Sequence, residues 1–154
     1  MARRLWLGAL AGAELIMDLA YVLTPFLAWL VAGALKFAIN GIRAGKPAFG
    51  LIGYGGLPSN HSAIVSSMAV LIALREGVAH PAFGVALTLA FIVMLDANSL
   101  RRQVGRQAAA INALAAGNSD REPLRERMGH TGLEIAAGIV VGIGVAAVIV
   151  AAGV

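Results

Sequence analysis

Hydrophobic positions in this chain fall in long blocks, and polar positions gather between them. The first block, Leu19 to Ile39, is mostly Leu, Ala, Val and Phe, with Pro25 near its start. It has the roughly 20 residues that a helix needs to cross a bilayer core. Lys36 lies near its far end, where a long side chain can snorkel to the interface. Asn40 to Asn60 comes next as a loop punctuated by Gly41, Gly45, Pro47, Gly50, Gly53, Gly55, Gly56 and Pro58. Helix resumes near His61 and runs to Leu74, short for a full crossing, so it reads as a half-helix or a span leaning on its neighbours. Ala82 to Leu95 is apolar and continues into a more polar helix, Asp96 to Ala116. Asn118 to Gly129 is charged and loop-like. Thr131 to Ala152 is the last span, rich in glycine and small aliphatics that allow close helix packing. No internal repeat is visible. The pattern predicts an all-α, multi-pass membrane helical bundle in one domain, residues 1–154. It has about four to five helices, counting the short one and an optional interfacial helix at the N-terminus.

Composition supports lipid as part of the solvent. Apolar residues make up 59% of the 154 and charged residues 13%, against about 45–50% and about 25% in ordinary globular chains. A soluble domain of this size has too little interior to hide that surface. The absence of cysteine excludes disulfides and thiolate metal sites. The segment Met1-Ala2-Arg3-Arg4 before Leu5–Ala13 has the flavour of a signal peptide. The apolar run is short, however, and Glu14 and Asp18 stand between it and the next apolar block.

The net charge of +4 is modest but unevenly placed. If each helix crosses once, Arg3, Arg4 and Arg75 fall on one side. Arg43, Lys46, Arg101, Arg102, Arg106, Arg121, Arg125 and Arg127 fall on the other, with Lys36 close by. The positive-inside rule would make that second side cytoplasmic, although arginines kept to hold phosphate would bias the same count. Nucleic acid is a poor partner, because these arginines border membrane segments and few aromatics intersperse them.

Three polar clusters converge on that second side. Lys36 and Arg43, at the end of a span, suit an anionic head group; taken alone they read first as interfacial anchors. Gly55-Gly56-Leu57-Pro58-Ser59-Asn60-His61-Ser62 places bare backbone before a helix start, where Ser59 or Asn60 can cap and free N–H groups favour an anion. His61 in the first turn can donate a hydrogen bond or a proton, or simply lie at the interface. The third cluster combines Asp96, Arg101 and Arg102 with His130, Thr131 and Glu134. Arg101 shares a helical face with Gly105, Ala108 and Asn112, whereas Arg102 and Arg106 form an adjacent strip suited to solvent or head groups. Asp96, near a membrane boundary, calls for a cationic partner, and Arg101 or Arg102 is available. Glu134 has two readings. Four residues after His130, it can orient the imidazole; three after Thr131, it fits a capping box.

Together these residues supply what phosphoryl transfer requires: cations for non-bridging oxygens, a nucleophile and a group for the leaving oxygen. No carboxylate cluster resembles a magnesium site, so a metal-free mechanism without cofactor is expected.

In order along the chain, Gly55–Ala63, Asp96-Ala97 with Arg101-Arg102, Gly105, Gln107-Ala108 and Asn112, then Gly129-His130-Thr131 with Glu134, resemble the divergent phosphatidic acid phosphatase type 2 family. Those small membrane proteins are related to acid phosphatases and vanadium-dependent haloperoxidases. The resemblance covers most of the chain from Lys36 onward. It implies lipid phosphatase chemistry through a phosphohistidine. Lys36 and Arg43 match the wider superfamily's first motif, with Ala44 where proline is expected. Pro58, Ser59 and His61 match the second, with Asn60 for glycine, and that histidine would be the general acid. In the third, His130 would be the nucleophile and Glu134, in place of aspartate, the orienting carboxylate. Leu124 stands where an arginine is expected; Arg101 or Arg102 would have to substitute from another helix.

The leading expectation is therefore a lipid or polyprenyl phosphate phosphatase, a phosphoric monoester or diphosphate hydrolase. His130, His61 and Glu134 would be catalytic; Lys36, Arg43, Ser59, Arg101 and Arg102 would hold phosphate; Asp96, Asn60 and Thr131 would support them. The alternative is a non-catalytic lipid-phosphate binding or transport protein, which needs the cations but no nucleophile. A purely structural scaffold is the third reading. Expected partners are a lipid phosphate, membrane lipids and a second copy through the glycine-rich last span. The expected location is the bacterial cytoplasmic membrane.

Overall fold

A computed structural model describes residues 2–45, 56–115 and 121–153, with side chains in the first helix from residue 19 onward. Residues 46–55 of the glycine-rich loop, Lys46 included, residues 116–120, and the side chains of Arg3, Arg4, Glu14 and Asp18 lie outside that description.

Among the described residues all regular structure is helical. α1 spans Ala2–Ala44, α2 Asn60–Arg75, α3 Pro81–Leu95, α4 Arg101–Leu114 and α5 Gly132–Ala151. α3 and α4 are one rod, joined through a single π-helical turn, Asp96–Leu100. Three stretches are long and apolar enough to cross a membrane: Leu19–Ala44, Pro81–Leu114 and Gly132–Ala151. α1 differs from the expectation of a separate interfacial helix before the first span, because its 43 residues form one unbroken helix with Pro25 inside. At 1.5 Å per residue that is roughly 65 Å, about twice a hydrocarbon core.

The short helix occupies the centre. α2 packs on α1, α3 and α5, and α1 also meets α5. Half of α2 is buried, including Ser62, Ser66 and Ser67. Its hydroxyls turn back onto their own helix: Ser66 Oγ donates to the Ser62 carbonyl at 2.6 Å, and Ser67 Oγ to Ile64 at 2.8 Å. A serine satisfied in this way occupies little space and leaves no orphan donor.

The bundle is small inside and large outside. On α1 the buried positions are Ala20, Thr24, Ala28 and Ala32, one every fourth residue. On α5 they are Gly138, Gly142 and Ala146. Bulky side chains point outward instead, with Phe26 61% and Phe91 62% exposed. In water this arrangement would be unstable, but lipid tails solvate such side chains as well as a core would. Association then depends on close backbone contact between small residues. A Cβ on Gly142 would come within 2.6 Å of the Ala63 carbonyl oxygen, so α5 lies directly on the α2 backbone.

Candidate functional site

The site forms where the start of α2, the π turn and the start of α5 meet. Each helix start is capped by its own sequence. Ser59 caps α2, its Oγ accepting from the Ser62 N–H at 3.3 Å and from the Ser62 hydroxyl at 3.0 Å. Thr131 caps α5 in a complete capping box. The two starts are joined by main chain, since the Ser59 N–H donates to the Glu134 carbonyl at 2.9 Å. The π turn is tied in the same way: the His130 N–H donates to the Ala97 carbonyl at 2.9 Å. Gly129 makes that approach possible. Its φ is +87°, and a Cβ there would lie 2.8 Å from Arg102 Cγ.

His130 is buried, at 7% exposure. Its Nδ1 lies 3.1 Å from Glu134 Oε2, and the same oxygen accepts the Thr131 N–H at 2.9 Å. The two readings of Glu134 are therefore both realised, because one carboxylate oxygen serves cap and imidazole together. A carboxylate can only accept, so Nδ1 carries the ring proton and Nε2 presents a lone pair. Burial is the main influence on this histidine and lowers its pKa below the ordinary value. The positive charges of Lys36 and Arg101 act in the same direction, and the Glu134 hydrogen bond and charge oppose them.

His61 faces His130 across the site, with ring centroids 6.3 Å apart and planes tilted by 56°. Arg101 reaches between the elements. Its Nε donates to Asp96 Oδ2 at 3.1 Å, and its Nη2 lies 3.2 Å from His61 Nε2. Asp96 and Arg101 are five residues apart, the spacing that a π turn stacks on one face. Such turns are frequent at functional sites.

His61, His130, Glu134, Arg101 and Asp96 thus come together, with half-buried Lys36 close enough for its charge to act on both imidazoles. The other expected residues take different places. Arg43 is exposed in the last turn of α1. Arg102 is exposed, its stem against Gly129, and it borders an open surface pocket with Asn98, Ser99, Gln103 and Arg106. Ser59 is fully buried, with its N–H and Oγ engaged as described. Asn60 turns toward α1, its Nδ2 lying 3.7 Å from where a Gly33 Cβ would stand. Thr131 acts as a cap.

One contribution had a residue but no partner legible in the sequence. Asn112 grips the segment after α4 like a strand partner, donating to the Leu124 carbonyl and accepting the Leu124 N–H, both at 2.8 Å. It also donates to Glu126 at 2.9 Å. The strap so held runs past Gly105, where a Cβ would stand 3.5 Å from Met128 Cβ, and delivers Gly129 and His130 to the site. Its only sequence signal is Asn112 on the Arg101 face, which does not name Leu124 as partner.

Comparison with known proteins agrees with a membrane protein. A family model described as the divergent PAP2 family matches residues 17–145. A relative from Bacillus subtilis (strain 168), the uncharacterized membrane protein YuiD, is 32% identical over 139 residues, covering 79% of this chain and 88% of its own. No solved structure matches.

Proposed function

The chain belongs to the divergent PAP2 family, and we propose on that premise that it is a phosphatase for lipid or polyprenyl phosphates in a bacterial cytoplasmic membrane. The observation that carries the reading is the His130–Glu134 pair, 3.1 Å apart in a buried setting. His130 Nε2 attacks phosphorus, and the ring becomes cationic as the N–P bond forms. Glu134 stabilises that cation through Nδ1–H, as an orienting carboxylate does for other histidine catalysts. Lys36 and Arg101 hold the non-bridging oxygens, and Arg43 meets the head group as it arrives. His61 stands on the leaving-group side. The two imidazole centroids lie 6.3 Å apart.

The test is phosphate release by purified protein in detergent, with chelator present. The panel comprises phosphatidic acid, phosphatidylglycerol phosphate and polyprenyl mono- and diphosphates. Release that vanishes in His130→Ala, with the variant still folded, is the expected result. Release that survives in His130→Ala ends this mechanism. Lipid phosphate binding without release from any substrate would favour a non-catalytic binder using the same cations.

A further inference from the structure

The rod formed by α3 and α4 carries a second polar cluster, outside the histidine site. An open pocket of about 510 Å³ lies there, lined by Asn98, Ser99, Leu100, Arg102, Gln103 and Arg106. The π turn divides the two clusters. Asp96 and Arg101 pair at 3.1 Å and Arg101 meets His61, whereas Asn98, Ser99 and Arg102 are exposed and line the pocket. No carboxylate is among the lining residues. Among the described residues neither Arg102 nor Arg106 is in an ion pair, and Asp96, the acid of the same turn, is already held by Arg101. Ser99 Oγ donates to the Leu95 carbonyl at 2.7 Å, so the arginines and the amides of Asn98 and Gln103 supply the pocket's donors. Two guanidinium forks beside side-chain amides suit the non-bridging oxygens of a phosphate group.

The depth of the pocket names the source of that phosphate. α3 begins at Pro81, and its 15 residues to Leu95 carry no charge. At 1.5 Å per residue Arg102 stands roughly 31 Å along the rod from Pro81, about one hydrocarbon thickness. With α3 in the bilayer, Arg102 and Arg106 therefore reach the head groups of the far surface. Leu100 lines the pocket and is exposed, and Ile92 and Leu95 are exposed on the bilayer side of it, where acyl chains can lie. Basic clusters placed just beyond a span attract anionic lipid. We infer that this pocket binds the phosphodiester head group of an anionic phospholipid, at a site separate from the histidine site. The inference does not depend on turnover, because a phosphodiester offers no terminal phosphoryl group to His130. Arg102 also joins the pocket to the histidine site, since its Cγ stands 2.8 Å from where a Gly129 Cβ would lie. A lipid that holds Arg102 thus sits beside the residue that leads into His130.

The test offers purified protein in detergent equal amounts of phosphatidylglycerol and phosphatidylcholine, and counts the retained lipids by native mass spectrometry. Wild type should retain phosphatidylglycerol in preference. An arginine at a membrane surface is worth about fivefold in attraction for anionic lipid. Replacing both, as Arg102→Met with Arg106→Met, keeps the aliphatic stems and should lower the preference roughly 30-fold. Arg106→Met alone leaves the Gly129 contact in place and should lower it about fivefold, so the result does not hang on the double variant folding. Lys36→Met, in the histidine site, should keep the preference. Excess glycerol phosphate, which has the charge but no tails, should not displace the lipid. An unchanged preference in both arginine variants, or its loss in Lys36→Met, would overturn the inference. So would ready displacement by glycerol phosphate or the absence of any preference in wild type. None of these outcomes bears on the phosphatase reading, which the release assay decides.

Discussion

Glu134 performs two tasks with one oxygen, and two substitutions pull them apart. Thr131→Ala removes the hydroxyl that accepts the Glu134 N–H at 3.3 Å and leaves the His130 contact alone. Losing an N-cap of this kind costs about 1 kcal/mol, so the melting temperature should fall while kcat stays within a few-fold. Glu134→Gln keeps an oxygen that can accept the Thr131 N–H, so the cap and the fold should persist. It removes the negative charge that balances the His130 ring once Nε2 is bonded to phosphorus. A hydrogen bond to a charged group is worth about 1.5–3 kcal/mol, and each 1.36 kcal/mol is tenfold in rate. The kcat should therefore drop by roughly 10- to 150-fold. Coulomb attraction across 3.1 Å at an effective dielectric of about 20 sets a ceiling near 5 kcal/mol. The assay pairs phosphate release with thermal unfolding in the same detergent. If Glu134→Gln melted like Thr131→Ala and turned over like wild type, the carboxylate would be a cap and nothing more.

Other expectations rest on the same geometry. Gly142→Ala would put a Cβ within 2.6 Å of the Ala63 carbonyl and 2.9 Å of the Ser67 nitrogen. Overpacking against backbone should cost about 1–3 kcal/mol, visible as a lower melting temperature, whereas Gly144→Ala, with nothing within 4 Å, should melt like wild type. His130 must be neutral to attack, and burial holds its pKa below 6.5. The acidic limb of kcat/KM should thus lie below pH 6.5, and a limb at or above it would contradict the burial argument. For stability the sign runs the same way. As pH falls through 6.5 the unfolded chain takes up a proton first, so this contribution is present above 6.5 and declines from there toward the lower folded pKa. Asn112→Ala should free the strap, so that trypsin cuts faster at Arg121, Arg125 or Arg127 while the rest of the fold stays protected.

The bundle was legible from the sequence because its signals are local. The apolar blocks, the cap at Ser59 and the Thr131–Glu134 box depend on neighbours along the chain, and the helices start where those residues place them. That Asp96 near a membrane boundary pairs with one of two arginines, Arg101 or Arg102, was also legible. Less legible was the position of α2. A helix surrounded on several sides lacks the one-sided polarity that reveals a face, and its serines read as polar until their bonds to their own backbone are seen. The choice between Arg101 and Arg102 depended on helical phase across a π turn, which no propensity announces. The Ser59–Glu134 and His130–Ala97 main-chain contacts have no residue code, because any side chain could accompany them.

The π turn also keeps a long rod aligned with its neighbours. Inward positions along it run Ala86, Ala90, Ala97, Arg101, Gly105, Ala108 and Asn112. Those steps are slightly longer than the 3.6 residues of an α-turn, so in an unbroken α-helix the line would drift around the axis. Arg101 would then rotate away from α2, on which Ala86 packs through Ala69 and Ile72, and Asn112 from Leu124 in the strap. One turn holding an extra residue absorbs the drift. Deleting a single residue from Asp96–Leu100 would keep the rod helical but tighten this turn, withdrawing the Ala97 carbonyl from His130 and changing the distance at which Arg101 meets His61.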